Sequence, residues 1–149
     1  MNDEQLNGLV IAARARRPDA VVFLLPGVDG QYSNHATDVL ALLEESGVPV
    51  DYATDPMAAG VYAQKSADLV LPPLLIVFGD VASLASAVSG VIAMIRWLAG
   101  RPGRSRVTVE VTIQQDADGS SRRQVRIANA TADEAEVLLK QAGRLQPPR

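Results

Sequence analysis

The side chains able to do chemistry are few, and they gather between Gly27 and Asp38. His35 is the single histidine; Ser33 precedes it by two positions and Asp38 follows it by three. Together they could supply a base, a hydroxyl nucleophile and an orienting carboxylate. A serine and a histidine two positions apart at a helix start rarely hold in-line geometry, and no Gly-x-Ser-x-Gly elbow accompanies them. A solvated histidine at a helix start is the plainer account. Gly27-Val-Asp-Gly30, between an apolar run and a helix, could cradle a phosphate on free helix N–H groups. It lacks the P-loop lysine and the third glycine of a dinucleotide fingerprint, and the glycines of a tight βα loop explain it as well. Glu44, Glu45, Asp51 and Asp55 fit no calcium-loop spacing and read as a solvated acidic face.

Composition narrows the classes further. The chain has 149 residues, 48% apolar and 21% charged, which fits one globular domain and excludes a wholly disordered chain. It has no cysteine, which removes disulfide scaffolds, iron–sulfur clusters, Cys-ligated zinc and thiol catalysis. Most zinc hydrolase sites would need a second histidine. Seventeen acids against 14 bases, with a pI near 5.1, argue against a general polyanion binder. No cofactor, metal or nucleic acid is therefore expected. The opening MNDEQLNG lacks the basic and apolar regions of a secretory signal, and no lipidation motif is present. The expected compartment is the cytoplasm. Twelve arginines against two lysines, with abundant alanine, hint at a GC-rich bacterial source.

Charge is unevenly spread. Residues 1–95 carry 4 bases and 11 acids, whereas residues 96–126 carry 7 arginines and 3 acids. A basic hairpin after an apolar helix could meet an acidic protein, an anionic lipid surface or nucleic acid. Arg106, Arg122 and Arg126 are expected on one outward strand face. Nucleic acid would call for aromatic platforms, and this stretch offers only Trp97. A plain solvated strand face remains the alternative.

The elements that would position these residues follow from periodicity. Leu6, Leu9, Val10 and Ala13 predict a helix over 3–16, capped by Asn2 or Asp3 and stopped by Pro18. The run 20–25 predicts a buried strand, 35–46 a helix ending at Gly47, and 48–52 a second strand. The short connection makes those strands a parallel βαβ pair. Residues 53–68 read as irregular, and 74–78 as a third buried strand. Residues 81–99 carry the longest helical signal, with Val81, Leu84, Val88, Val91, Ile95 and Leu98 in one stripe. Ala82, Ser86, Ser89, Gly90 and Ala93 make its other side small. Val107, Val109, Val111 and Ile113 alternate with polar residues, Asp118-Gly119 marks a hairpin, and Val125 and Ile127 mark a short return strand. Thr131 to Glu134 is a capping box opening a helix with Val137, Leu138 and Ala142 inward.

The fold class is therefore α+β, a small mixed sheet covered by helices. It joins an N-terminal βαβ unit to a C-terminal unit of helix, hairpin and helix. The expected organisation is an N-terminal helix over 1–17, a single domain over 18–144 and a tail over 145–149. The apolar stretch 69–98 followed by arginines also mimics a membrane span. Pro72-Pro73 and Gly79-Asp80 interrupt it, however, leaving 15 residues from Val81 to Ile95 against the roughly 20 needed. A buried helix with one face available fits better.

From about Asp55 to Gln141 the order of features resembles a known family. A Pro/Ala/Gly stretch (Asp55-Pro-Met-Ala-Ala-Gly60) precedes an apolar segment and a small-residue helix closing on Arg96-Trp97-Leu98. An arginine-rich turn through Arg101 and Arg104 follows, then a Val-x-Val-x-Val strand, an Asp-Gly hairpin, a short return strand and a final helix. This order is similar to the first type of effector-associated constant component domain, from actinobacterial conflict systems. The resemblance implies a non-enzymatic accessory module working beside an effector, often a trypsin-like or caspase-like peptidase. The helix at 3–16 and the loop at Gly27–Tyr32 depart from that pattern.

The expected interaction residues are Ser86, Gly90, Arg96 and Trp97 on the outer side of the long helix, with Arg106, Arg122 and Arg126 on the hairpin. The helix would offer close apolar contact, to an effector or to a second copy in a homo-oligomer, and the arginines would bind carboxylates. Two rivals stand beside this reading. One is a membrane-associated protein anchored by residues 69–98, with Arg96 to Arg106 on anionic headgroups. The other is an enzyme or nucleotide binder built on Gly27–His35.

Overall fold

A computed structural model of the chain describes residues 2–27, 30–62, 69–100, 106–115 and 120–143. The expected hairpin turn at Asp118-Gly119, Arg101 and Arg104, the tail, Val28 and Asp29 lie outside the described residues.

Helix α1 (Asp3–Arg16) opens with a capping box. The Asn2 side chain accepts from Gln5 N at 2.8 Å, and Gln5 Oε1 accepts from Asn2 N at 3.1 Å. Strand β1 (Val22–Leu24) is wholly buried. After β1 the chain forms β2 (Tyr32–Ser33), α2 (Ala36–Glu45) and β3 (Val50–Tyr52), with β1 and β3 parallel as expected of a βαβ unit. The stretch expected to be irregular holds a single helical turn, α3 (Pro56–Ala59), and β4 (Val61–Tyr62). Strand β4 pairs with β2 as a separate two-stranded ribbon.

Strands β5 (Leu69–Val70) and β6 (Leu74–Phe78) are two halves of one broken row. Both run parallel to β7 (Arg106–Gln115), Leu69 opposite Val107 and Leu74 opposite Val111. Five residues on one side therefore match four on the other. Pro72 and Pro73 sit at that slip, where a residue without N–H breaks the ladder at least cost. Helix α4 (Val81–Ala99) connects β6 to its parallel neighbour β7, making a second βαβ unit. Strand β8 (Ser120–Thr131) returns antiparallel along the far side of β7 and runs directly into α5 (Ala132–Gly143). At 12 residues it is far longer than the short return strand expected, because its edge position lets polar residues extend it without breaking apolar alternation.

The sheet thus reads β3, β1, β6, β7, β8 from edge to edge, with β1 antiparallel to β6. The fold class is α+β. Helices α2, α4 and α5 cover one face, where Val22, Leu24, Leu74, Ile76, Val109, Val111 and Ile113 point. Helix α1 covers part of the other through Val10 and Ala13, against Phe23, Leu75 and Val77. Burying each large aliphatic side chain contributes about 1.5–3 kcal/mol, so the helix-rich face dominates stability.

Two details of the expected packing are corrected. Val81, placed in the inner stripe of α4, is the first residue of that helix and is 79% exposed. On α5 the inner residues are Ala135, Leu139 and Ala142, while Val137 and Leu138 face outward. A Cβ on Gly143 would stand 3.2 Å from Val88, so α5 approaches α4 closely and its inner face is chosen for small size.

Candidate interaction surface

Helix α4 begins where Gly79 ends β6 and Asp80 turns outward. The Asp80 carboxylate accepts from Ser83 N at 2.7 Å, and those hydrogen bonds to Ser83 hold the carboxyl below its ordinary range. At the other end Gly100 N donates to Arg96 O at 3.0 Å. Leu84, Ala87, Val88, Val91, Met94, Ile95 and Leu98 point inward. The outer side is a row of small residues, Ala82, Ala85, Ser86, Ser89 and Ala93, all exposed. Val81 stands at one end of the row and Trp97, half exposed, at the other.

The structure separates the expected interaction residues into distinct environments. Ser86 and Trp97 lie on that outer side. Gly90 does not: it is buried, and a Cβ there would come within 2.4 Å of Val48 Cγ2. Its smallness serves the approach of α4 to the segment joining α2 and β3, not an outside partner. Arg96 is exposed but engaged, its Nε 2.8 Å from Glu136 Oε1 and its Nη2 2.9 Å from Asp133 Oδ1. Lys140 reaches Glu136 at 3.1 Å, and the two cations hold the Glu136 carboxyl below its ordinary range, Arg96 contributing more. The arginine therefore ties α5 to α4.

The three hairpin arginines share a face of β7 and β8 but not a site. Arg122 is largely sequestered: Nε donates to Gln114 Oε1 at 2.9 Å, Nη1 to Asp3 Oδ1 at 3.2 Å, and Nη2 to Asn7 Oδ1. It brackets α1 onto the hairpin. Arg106 donates to Asn129 O at 3.0 Å, with Glu134 Oε1 at 3.8 Å. Arg126, opposite Glu110, is exposed. Arg122 and Arg126 stand four residues apart on one strand, about 13 Å. The single basic patch expected from the sequence resolves into an internal bracket at Arg122, an exposed strand-end contact at Arg106 and an exposed cation opposite Glu110 at Arg126.

The Ser33–His35 segment does not present a nucleophile. Ser33 is 3% exposed, and its Oγ accepts from His35 N at 3.1 Å, a local turn at the start of α2. Asp38 is exposed on the helix that follows. Asp55 caps α3 through Met57 N, and Asp51 accepts from Tyr52 N with Arg17 at 3.7 Å, so these carboxylates serve the backbone.

Sequence reasoning missed Tyr32. Its ring is wholly buried, edge-on to Tyr52 at 4.9 Å. The hydroxyl lies 2.9 Å from Thr54 Oγ1, accepts from Thr54 N at 2.9 Å, and is 3.3 Å from Leu24 O. Burial raises its pKa, keeping the phenol protonated. Parallel strands usually hold ligands beyond their carboxyl ends, and here the ends of β1 and β3 are bridged by this side chain. A tyrosine between Gln31 and Ser33 carries no periodic signal that could have announced this. Beside it lies a shallow depression of about 320 Å³ lined by Arg16, Asp51, Tyr52, Thr54, Asp55 and Pro56.

Comparison with known proteins gives no match, whether to family models, to curated proteins or to solved structures.

Proposed function

We propose that this chain is a non-enzymatic adaptor that docks on a peptidase-type effector of a bacterial conflict system through the outer face of α4. The observation that carries the docking face is the exposed row Ala82, Ala85, Ser86, Ser89 and Ala93, flanked by Val81 and Trp97. Small side chains let another helix or strand approach closely, and a half-exposed tryptophan is the residue type most enriched at binding hot spots. The base under this face is rigid, since the opposite side of α4 is core. The effector's class comes from the resemblance of residues 55–141.

The test is capture of a trypsin-like or caspase-like peptidase encoded beside this chain, with the full-length protein as bait. Trp97→Ala is expected to weaken capture roughly thirtyfold, and Ala93→Glu to abolish it by holding the partner away. Ala93 is exposed and Trp97 half exposed, so circular dichroism checks that both variants are folded at the temperature of capture. Undiminished capture by both variants would overturn the assignment.

Membrane anchorage has one observation in its favour: α4 is 19 residues long and apolar enough to cross a membrane by length and composition. Leu84, Val91 and Ile95 nevertheless face the sheet, and moving them into lipid would strip the core. Flotation with vesicles containing anionic lipid separates the readings, since an anchored protein floats and resists high salt.

A further inference from the structure

The far edge of the sheet is β8. Among the described residues it pairs only with β7, leaving one backbone edge of a 12-residue strand uncovered. Long open edges invite another strand, and proteins blunt them with charge, proline or bulges. Two register shifts interrupt the ladder, between Val107 and Val109 and between Ile113 and Gln115, so the regular part of the edge is Arg123 to Ile127. The charge has one sign: Ser120 to Thr131 contains Arg122, Arg123 and Arg126 and no acid. Arg122 is turned inward to α1. Arg123 and Arg126 are exposed and make no ion pair among the described residues. The register is unbroken from Arg123 opposite Ile113 through Ile127 opposite Val109. Residues an odd number apart on one strand take opposite faces. Arg123 therefore stands on the face of Ile113 and Arg126 on the face of Glu110, one on either side of the open edge.

A row of one sign repels some partners and selects others. A second copy pairing antiparallel about Gln124 would set Arg122 against Arg126. Parallel in-register pairing would set each arginine against itself. Like charges directly opposite are destabilising, so these registers are disfavoured for its own copy. An acidic strand meets the reverse situation.

We infer that the β8 edge is a docking site for an extended acidic polypeptide segment, which adds to the sheet as a further strand. The segment carries two carboxylates three residues apart, one for Arg123 and one for Arg126. Backbone hydrogen bonds supply affinity that does not depend on sequence, and the charge spacing supplies selection. Carboxylates two or four residues apart project from the same face and reach only one of the two arginines. The site lies on a different element from the α4 face and does not depend on it.

The test uses the full chain and a fluorescein-labelled Thr/Val peptide of about nine residues with two glutamates three positions apart. Fluorescence anisotropy should show saturable binding. A peptide of identical composition with its glutamates two positions apart should bind roughly fivefold more weakly, the loss expected for one exposed ion pair. Methylating alternate backbone nitrogens of the first peptide should abolish binding, because it removes the strand donors and leaves the charges. Arg123→Gln and Arg126→Gln, both at exposed positions, should each cost roughly fivefold with circular dichroism unchanged. Equal affinity for the two spacings, or binding indifferent to N-methylation, would reduce the edge to general charge attraction and overturn the proposal. Absence of binding by the folded chain would overturn it too. So would sedimentation showing that copies associate through β8.

Discussion

Arg122 shows how far the surroundings decide what a guanidinium does. Read from the strand pattern it is an outward cation beside Arg126, and the two are equivalent on paper. In the structure it is 16% exposed and joins three partners from two elements, Gln114 on β7 and both Asp3 and Asn7 on α1. Planar geometry with donors on every side is what allows one side chain to bridge them, and a lysine could not reproduce it. Arg122→Ala is expected to cost about 1–3 kcal/mol, since Gln114 is fully buried and loses a charged donor. The loss should concentrate at α1, visible as faster amide exchange over residues 3–16. Arg126→Ala, at an exposed position, should stay within about 0.5 kcal/mol of the parent. Equal effects at the two positions would show that the bracket contributes nothing. The long contact from residue 122 to residue 3 has no signature in sequence, because it depends on where α1 crosses the sheet.

At the scale of elements, small residues carry two opposite meanings. Along α4, Ser86, Ser89 and Ala93 are small and exposed, while Gly90 is small because Val48 leaves room for nothing larger. Gly90→Ala should therefore destabilise the chain by about 1–3 kcal/mol through overpacking, despite alanine's better helix propensity. Adding Val48→Ala should recover part of the loss, measured as the midpoint of urea unfolding. A neutral or stabilising Gly90→Ala would mean that α4 stands farther from Val48 than the geometry indicates. The same ambiguity explains what was legible. The bounds of α1 and α4, the buried strand at 74–78 and the capping box at Thr131 were readable, because capping residues, Gly/Pro stops and long apolar runs are local signals. The inward face of α5 was misread by following the larger side chains, Val137 and Leu138. Ala142 was placed inward and is; close helix contact selects Ala135 beside it, so size and hydrophobicity point in different directions there. The outer face of α4 was legible in Ala82, Ser86, Ser89 and Ala93, but Gly90 was placed on it wrongly, Val81 was placed inward, and Ala85 was not named. The length of β8 was not, since an edge strand satisfies its backbone on one side and leaves its side chains free to be polar.

Over the whole molecule, the arrangement of strands was the least legible feature. Periodicity reports which residues face inward but not which strand lies beside which. The antiparallel junction of β1 and β6, where the two βαβ units meet, had no local marker. That junction places α4 against α2 on one side and α5 on the other, with the sheet beneath. Helix α4 thus links both halves of the fold, and its outer face is available only because its inner face holds them together. Ile95 sits at this centre, 1% exposed. Ile95→Asp would bury a carboxylate without a partner, at a cost above about 4 kcal/mol, comparable with the whole stability of a domain this size. The expected outcome is loss of cooperative unfolding for every element, followed by far-ultraviolet dichroism and by amide exchange across β1, β6 and β7. If α4 were an anchor separable from the rest, the same substitution would leave β1, β3 and α1 protected and disturb the helix alone. Protection that survives in the N-terminal unit would therefore count against one continuous core, and with it against the rigid base on which the docking face depends.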